Sequence, residues 1–304
     1  MTLTLSILIP TYNNVCTSLV KSLQQQAAAL PCLDYEILVA DDGSTDKCSV
    51  SLNRAINDMP GCRYLEREKN VGRAVIRNYL AQQAKGSWLL FIDSDMVVRN
   101  PDFVATYTSI LQEDTMDLPG ILYGGYTTDY ADRKALAYNL RYMIERRNPQ
   151  NADYRLRQAH PFHDFHTSNF VVRRDIMMRY PLDERFRHYG YEDVLWGKTL
   201  QQEGIGILHV DNPLSFEHFE TNKAFLDKTE EGLRTLYLFR DELRGYSAVI
   251  DYADRMCRIP LVKGLVCNVF PFASLHIKSR LMGIAPSSFL FSVYKLLYFI
   301  RLMQ

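Results

Sequence analysis

The chain is 304 residues long, with 47% hydrophobic and 23% charged residues, values that suit a folded soluble protein of one large domain or one domain plus an appendage. Its 35 basic and 35 acidic residues cancel to a formal charge of zero, which argues against a protein whose main business is wrapping nucleic acid. Six cysteines (Cys16, Cys32, Cys48, Cys62, Cys257 and Cys267) form no CxxC pair and read as reduced thiols in a reducing compartment.

The opening MTLTLSILIPTYNN has no basic leader and no small-residue cleavage site, so it reads as a strand over 3–9 stopped by Pro10, not as a signal peptide. A helical pattern follows over 15–30. A buried-type strand, YEILVA (35–40), ends abruptly in DDGS. Helical stretches near 46–58 and 71–84 flank the short strand CRYLER, and a second buried strand, SWLLFI (87–92), ends in DSD. This alternation predicts an α/β fold whose mostly parallel central sheet is flanked by helices.

Beyond it, residues 121–147 read as a strand and a long helix, 167–173 as an alternating strand, and 191–203 as a helix opened by an acidic pair. GIGILHV follows as a short strand. After Asn222 the chain reads as helical, with breaks near Pro260 and near 283–286. The expected division is therefore 1–222 as one domain and 223–304 as a helical C-terminal extension. No run of eighteen uncharged apolar residues occurs, so no membrane-spanning helix is expected.

In open α/β sheets, ligands bind at the carboxyl ends of the strands. Three strands here end in polar loops, PTYNN, DDGSTD and DSD, which are expected to meet along one edge. Neither GxGxxG nor GxxxxGK[ST] is present, so a bound nucleotide is not held by a glycine-rich turn. Asp93 and Asp95, at i and i+2 after a buried strand, project to one side of the pleat. They suit a hard divalent cation, Mg2+ or Mn2+, that keeps positions open for phosphate oxygens; a solvated acidic turn is the plainer reading.

Asp41 and Asp42 close another buried strand, with Ser44 and Thr45 as candidate caps of the next helix and Asp46 in its first turn. Glu192 and Asp193 open a helix, where the dipole favours acids. They read either as a stabilised helix start or as a general base that begins ionised. The spacing of His160, His163 and His166 would gather metal ligands on a helix, but Pro161 and the aromatics between them favour a loop. His209 and His218 follow the last strand, and His218 gains interest beside a DxD pair that lacks a further ligand.

Taken in order, ILIPTYNN, VADDGSTDKC, NVGRAVIRN, FIDSDMVV, TSNFVVRRD, GYEDVLWGKTL and the late histidine resemble the family 2 inverting glycosyltransferases of the GT-A (nucleotide-diphospho-sugar transferase) fold, over about residues 3–220. The resemblance implies that Pro10, Thr11 and Tyr12 line the nucleotide base and that one of Asp41 and Asp42 bonds it. It places Asn70, Gly72, Arg73 and Arg77 under the nucleotide, and Asp93 near the ribose beside Ser94. Asp95 and His218 become the metal ligands for Mn2+ or Mg2+. Ser168 and Asn169 face the donor sugar and acceptor, Asp193 is the catalytic base, and Glu192 stands beside it.

The implied reaction moves a sugar from a nucleotide-sugar donor, expected to be a UDP-sugar, to a hydroxyl acceptor in polysaccharide, lipopolysaccharide or glycolipid assembly. The polar run His166-Thr167-Ser168 and Trp196 depart from the pattern, and the QxxRW motif of processive synthases is missing. A sugar-nucleotidyltransferase is a rival, but PTYNN offers no glycine-rich, basic triphosphate loop. A non-catalytic binding protein on the same fold is the other, and the intact carboxylates argue against it.

Residues 246–304 hold seven Lys or Arg and only two acids, Asp251 and Asp254. A helix over 288–303 would span about 24 Å, short of a hydrocarbon core of about 30 Å. It is expected either to pack as an appendage or to lie on an anionic membrane surface through residues 284–304. The expected location is cytoplasmic, or at the cytoplasmic face of the inner membrane.

Overall fold

A computed structural model describes residues 3–113, 118–148, 150 and 153–304. The chain forms two compact units, one of Met1–Tyr130, Pro149–Arg187 and Trp196–Glu217, the other of Ala131–Asn148, His188–Leu195 and His218–Gln304. By packing, then, two segments that precede residue 222 group with the C-terminal helices.

The first unit is built on a seven-stranded sheet. Its strands are β1 (Leu3–Thr11), β2 (Leu33–Asp41), β3 (Cys62–Glu66), β4 (Trp88–Ile92), β6 (Ile121–Tyr123), β8 (Asn169–Arg173) and β9 (Ile207–His209), in the order β3-β2-β1-β4-β8-β6-β9. Pairing is parallel except for β8, which runs antiparallel to both β4 and β6. The runs ILI of β1, LVA of β2 and LLFI of β4 are buried on both faces, as continuous apolar strands in a helix-covered sheet should be. A smaller sheet joins β5 (Met96–Val97), β7 (Tyr126–Thr127) and β10 (Leu214–Phe216).

Helices α1 (Thr17–Ala28), α2 (Lys47–Asn53), α3 (Arg73–Gln83) and α4 (Phe103–Gln112) connect the early strands. The core beneath α3 gathers Ala74, Leu80, Phe91, Phe170 and Trp196, with Phe91 and Phe170 stacked at 4.8 Å between ring centroids. Ser44 and Thr45 do not cap α2. Asp46 does, accepting from the N–H groups of Cys48 and Ser49 at 3.0 and 3.3 Å, because the helix starts one residue later than the pattern suggests.

The long helix expected within 121–147 is absent from the described residues. After β6 and β7 the chain turns irregularly, and only α5 (Leu140–Glu145) is helical, started by the Asn139 side chain on the N–H of Tyr142. Asp132 supplies the local reason for the turn, accepting from the N–H groups of Lys134 and Ala135. Short helices α6 (Tyr154–Gln158) and α7 (Arg174–Arg179) follow, then α8 (Glu192–Gln202).

The second unit is helical, with α9 (Asn222–Leu238), α10 (Ala248–Cys257), α11 (Pro260–Met282) and α12 (Ser288–Leu302). Thr221 and Ser287 cap α9 and α12, and Pro260 stands at the start of α11, where its missing N–H costs nothing. Leu226, Leu233, Leu236, Ile250, Phe270, Phe291, Tyr294 and Phe299 form its core. Cys16, Cys32, Cys48 and Cys62 are free thiols.

Candidate nucleotide-sugar site

The order β2-β1-β4 brings the three polar strand-end loops side by side, and two asparagines lace them together. Asn13, in the left-handed region at φ 51°, accepts through Oδ1 from the N–H groups of Thr45 and Asp46 at 2.8 and 2.9 Å, while its own N–H donates to Ser44 Oγ. Asn14 Nδ2 donates to the carbonyl of Ser94 at 2.8 Å, tying the first loop to the DSD turn. Asn53, buried on α2, donates to the Asn14 carbonyl and accepts from the Cys16 N–H. These three asparagines were not among the residues singled out from the sequence, although NN directly after a strand-ending PTY is the signal that pointed nearest to them.

Each acid of the DDGS loop is engaged by the protein. Asp41 accepts from the Ser44 N–H at 2.6 Å and from the Tyr64 hydroxyl at 2.5 Å. Asp42 accepts from the N–H groups of Val71 and Gly72, both at 3.0 Å. Burial raises the Asp42 pKa, and those two N–H groups oppose the shift. Gly43 is required by a close approach: at φ 71° a side-chain carbon there would lie 2.4 Å from the Lys69 carbonyl carbon. The DDGS turn thus seats the 69–72 segment, with Asn70 exposed and Gly72 opening α3.

Arg73 and Arg77, one helical turn apart on α3, both reach Asp93. Arg73 meets Oδ2 at 3.1 Å and is partly open, whereas Arg77 is buried and bonds Oδ1. Arg77 also donates to the Arg73 carbonyl at 3.1 Å. Asp93 is therefore a carboxylate already held by two guanidinium groups, and its backbone N–H donates to the Ser168 carbonyl. Ser168 Oγ is buried and has no hydrogen-bond partner among the described residues. Asn169 is fully buried and committed: Nδ2 donates to the carbonyls of Gly125 and Asn212, and Oδ1 accepts from Tyr107. In the structure it is a knot between strands.

Around this edge Pro10, Ser94 and Asp95 are half-buried, Thr11 is buried and Tyr12 is exposed. The carbonyl of Asp95 accepts from the Glu217 N–H at 3.0 Å, extending the β5–β10 pairing, and His218 is the next residue in the chain. In the second unit, Glu192 is buried and Asp193 half-buried in the first turn of α8. Just before them stand two left-handed residues, Gly190 (φ 97°) and Tyr191 (φ 70°). Among the described residues, no group of three or more His, Cys, Asp or Glu side chains is gathered that could hold a metal ion, which includes His160, His163 and His166. His209 is instead a buried structural group, its Nε2 3.0 Å from the Pro161 carbonyl and its Nδ1 accepting from Arg157.

Residues 6–180 match the glycosyl transferase family 2. The chain belongs to that family. Among curated relatives of this family 2 glycosyltransferase, it is 29% identical to an Escherichia coli chondroitin synthase over 245 residues, covering 70% of this chain and 34% of the relative. It is 26% identical to a Pasteurella multocida hyaluronan synthase over 289 residues, covering 85% of this chain and 29% of the relative. The chain thus spans about a third of the length of these relatives.

Two solved structures share its GT-A fold. A mannosyltransferase from Pyrobaculum calidifontis, in complex with GDP-Man and Mn2+, has a TM-score of 0.55 at 13% identity, covering 98% of this chain and 85% of that one. A fragment of TarS from Staphylococcus aureus has a TM-score of 0.52 at 16% identity, covering 97% and 90%.

Proposed function

We propose that this family 2 glycosyltransferase transfers a sugar, with inversion, from a nucleoside-diphosphate sugar to a hydroxyl acceptor of polysaccharide, lipopolysaccharide or glycolipid assembly. The observation that carries the reading is the laced edge of β1, β2 and β4. Three loops held rigid by Asn13, Asn14 and Asn53 present Asp42, the Arg73–Asp93 pair, Asp95 and the buried Ser168 hydroxyl at the strand ends where ligands bind. A buried hydroxyl without a partner is what a bound donor would satisfy. UDP is the nucleotide we propose, with Pro10, Thr11 and Tyr12 beside its base and one of Asp41 and Asp42 bonding it.

The residues fit a divalent cation by the chemistry of their donors. Asp41, Asp42, Asp93 and Asp95 outnumber the two guanidinium groups bonded here, so a diphosphate needs a cation to offset the excess negative charge. We propose Asp95 and His218 as the ligands of Mn2+ or Mg2+, the carboxylate supplying the hard oxygen donor that such an ion prefers. When bound, the ion would neutralise charge on the departing diphosphate.

Asp193, more open than Glu192 and set in the first turn of a helix, takes the acceptor hydroxyl proton in this reading. The acceptor oxygen forms a bond to the anomeric carbon from the face opposite the nucleotide, and the bond from that carbon to the diphosphate oxygen breaks. Arg73 supplies positive charge beside the nucleotide, and Arg77 holds Asp93 in place for it. The testing experiment incubates the chain with UDP-sugars, Mn2+ and hydroxyl acceptors, and reads UDP release and the anomeric configuration of the product by NMR. Product of inverted configuration supports the proposal; a retained configuration overturns it.

A further inference from the structure

Helix α11 is apolar on two sides. One side enters the helical core through Val266, Phe270 and Leu281. The other carries Leu261, Leu265, Val269, Phe272, Leu275 and Met282, all exposed, with Leu261 at 84%, Phe272 at 78% and Leu275 at 71%. At about 100° per residue these six fall in one continuous sector of the helix, which Gly264, Asn268, His276 and Ser279 share. Single exposed apolar residues are ordinary, but a stripe running the length of a 23-residue helix is not. A helix that is apolar on two sides calls for cover on both, and its own unit covers one.

Charge says what the cover is. The 50 residues from Arg255 to Gln304 contain seven Lys or Arg and no Asp or Glu. Lys278 is ion-paired with Glu230, and Lys295 lies over the Phe291 ring. Arg255, Arg258, Arg280 and Arg301 are exposed. Arg258 precedes the stripe in the chain, and Arg280 borders it, two residues before Met282.

We infer that α11 is an interfacial helix that lays its exposed apolar side into an anionic lipid surface, with the neighbouring arginines meeting the headgroup phosphates. A second copy of the chain is the competing occupant. It would bring the same cations to the same face, and this run offers no acid to offset them. Lys263, Lys278 and Arg280 punctuate α11, and Lys278 is ion-paired with Glu230 of the same unit, which favours a helix lying on the surface over one that crosses it.

The contact falls on a different helix from the segment 284–304 expected from the sequence. Within that segment Phe291, Tyr294, Phe299 and Ile300 are spent on the core, and Ile284 and Phe289 are its large exposed apolar residues. The inference is independent of the reaction proposed above.

The test is flotation of the full chain with vesicles of phosphatidylcholine alone and of equal parts phosphatidylcholine and phosphatidylglycerol. The expected result is recovery with anionic vesicles about tenfold or more above that with neutral ones, since each basic residue near an anionic surface contributes about a fivefold gain. The double variant Leu265→Glu/Phe272→Glu, both positions exposed, should lose flotation while circular dichroism shows an unchanged fold. Arg258→Glu/Arg280→Glu should lose the anionic preference. Equal recovery with both vesicles, or flotation surviving Leu265→Glu/Phe272→Glu, overturns the inference. A concentration-dependent dimer broken by that same pair, with no vesicle binding, assigns the face to a second copy and overturns it as well.

Discussion

Arg77 and Asp93 form an ion pair at the end of β4, the guanidinium buried and the carboxylate shared with the more open Arg73. The two arginines lie one turn apart on the same helix yet sit in very different surroundings, and this sets their roles apart. Arg77→Met leaves a half-buried carboxylate short of its closest counter-charge, and unfolding in urea should show a loss of up to about 3 kcal/mol. Arg73→Met removes a partly exposed partner screened by water and should cost less than about 1 kcal/mol. In the proposed reading it nonetheless weakens nucleotide binding, which titration calorimetry measures.

Asn13 should couple loop order to binding without dominating stability. Its Oδ1 serves two backbone N–H groups that water can otherwise reach, and its left-handed backbone suits Asn or Gly. Asn13→Ala is expected to cost about 1–2 kcal/mol and to weaken nucleotide binding about tenfold. Asn13→Gly, which keeps the backbone but not the bonds, should recover part of the stability and little of the binding. Equal binding by wild type and Asn13→Ala would remove the lacing from the account.

His209 gives the fold a pH signature. Burial, first of all, pulls its pKa down from 6.5 to about 4. The unfolded chain therefore takes up the proton first as pH falls below about 6.5, and folded stability declines until the pH reaches about 4. The contribution lost over that window is about 3 kcal/mol. His209→Gln, whose amide can still donate to the Pro161 carbonyl, should show a flatter stability profile between those two values in urea melts at stepped pH.

The proposed base separates the two acids of α8. Asp193→Asn should lower kcat about a hundred- to ten-thousand-fold and leave nucleotide affinity within a small factor. Glu192 is buried, so Glu192→Gln should register in thermal melting as well as in turnover. Near-normal turnover by Asp193→Asn would reassign the base.

The sheet could be read from the sequence because its central strands are buried on both faces. ILI, LVA and LLFI are unbroken apolar runs, and each ends where the polar loop begins, so Asp41, Asp42 and Asp93 stood out at once. What joins those loops could not be read. Tyr64 reaches Asp41 from the neighbouring strand, and Tyr107 and Asn212 reach Asn169 from 62 and 43 residues away, contacts that leave no local pattern. The resemblance places Arg77 under the nucleotide, and only the packed sheet shows it buried against Asp93. The long helix expected before residue 147 failed because its apolar spacing is interrupted by turn chemistry at Asp132 and a cap at Asn139. Apolar residues in the last 45 positions gave no hint of which helix faces inward, since α11 and α12 are both rich in them.

The measurement that tests the central claim most directly is the melting temperature of wild type and Asp95→Ala with UDP, with and without Mn2+. A ligand that binds the folded state must raise its apparent stability, by about 2.7 kcal/mol at a hundredfold excess over Kd. The account predicts an Mn2+-dependent rise with UDP in wild type that is lost in Asp95→Ala. Unchanged melting in wild type across UDP and the other nucleoside diphosphates, with Mn2+ present, would contradict it.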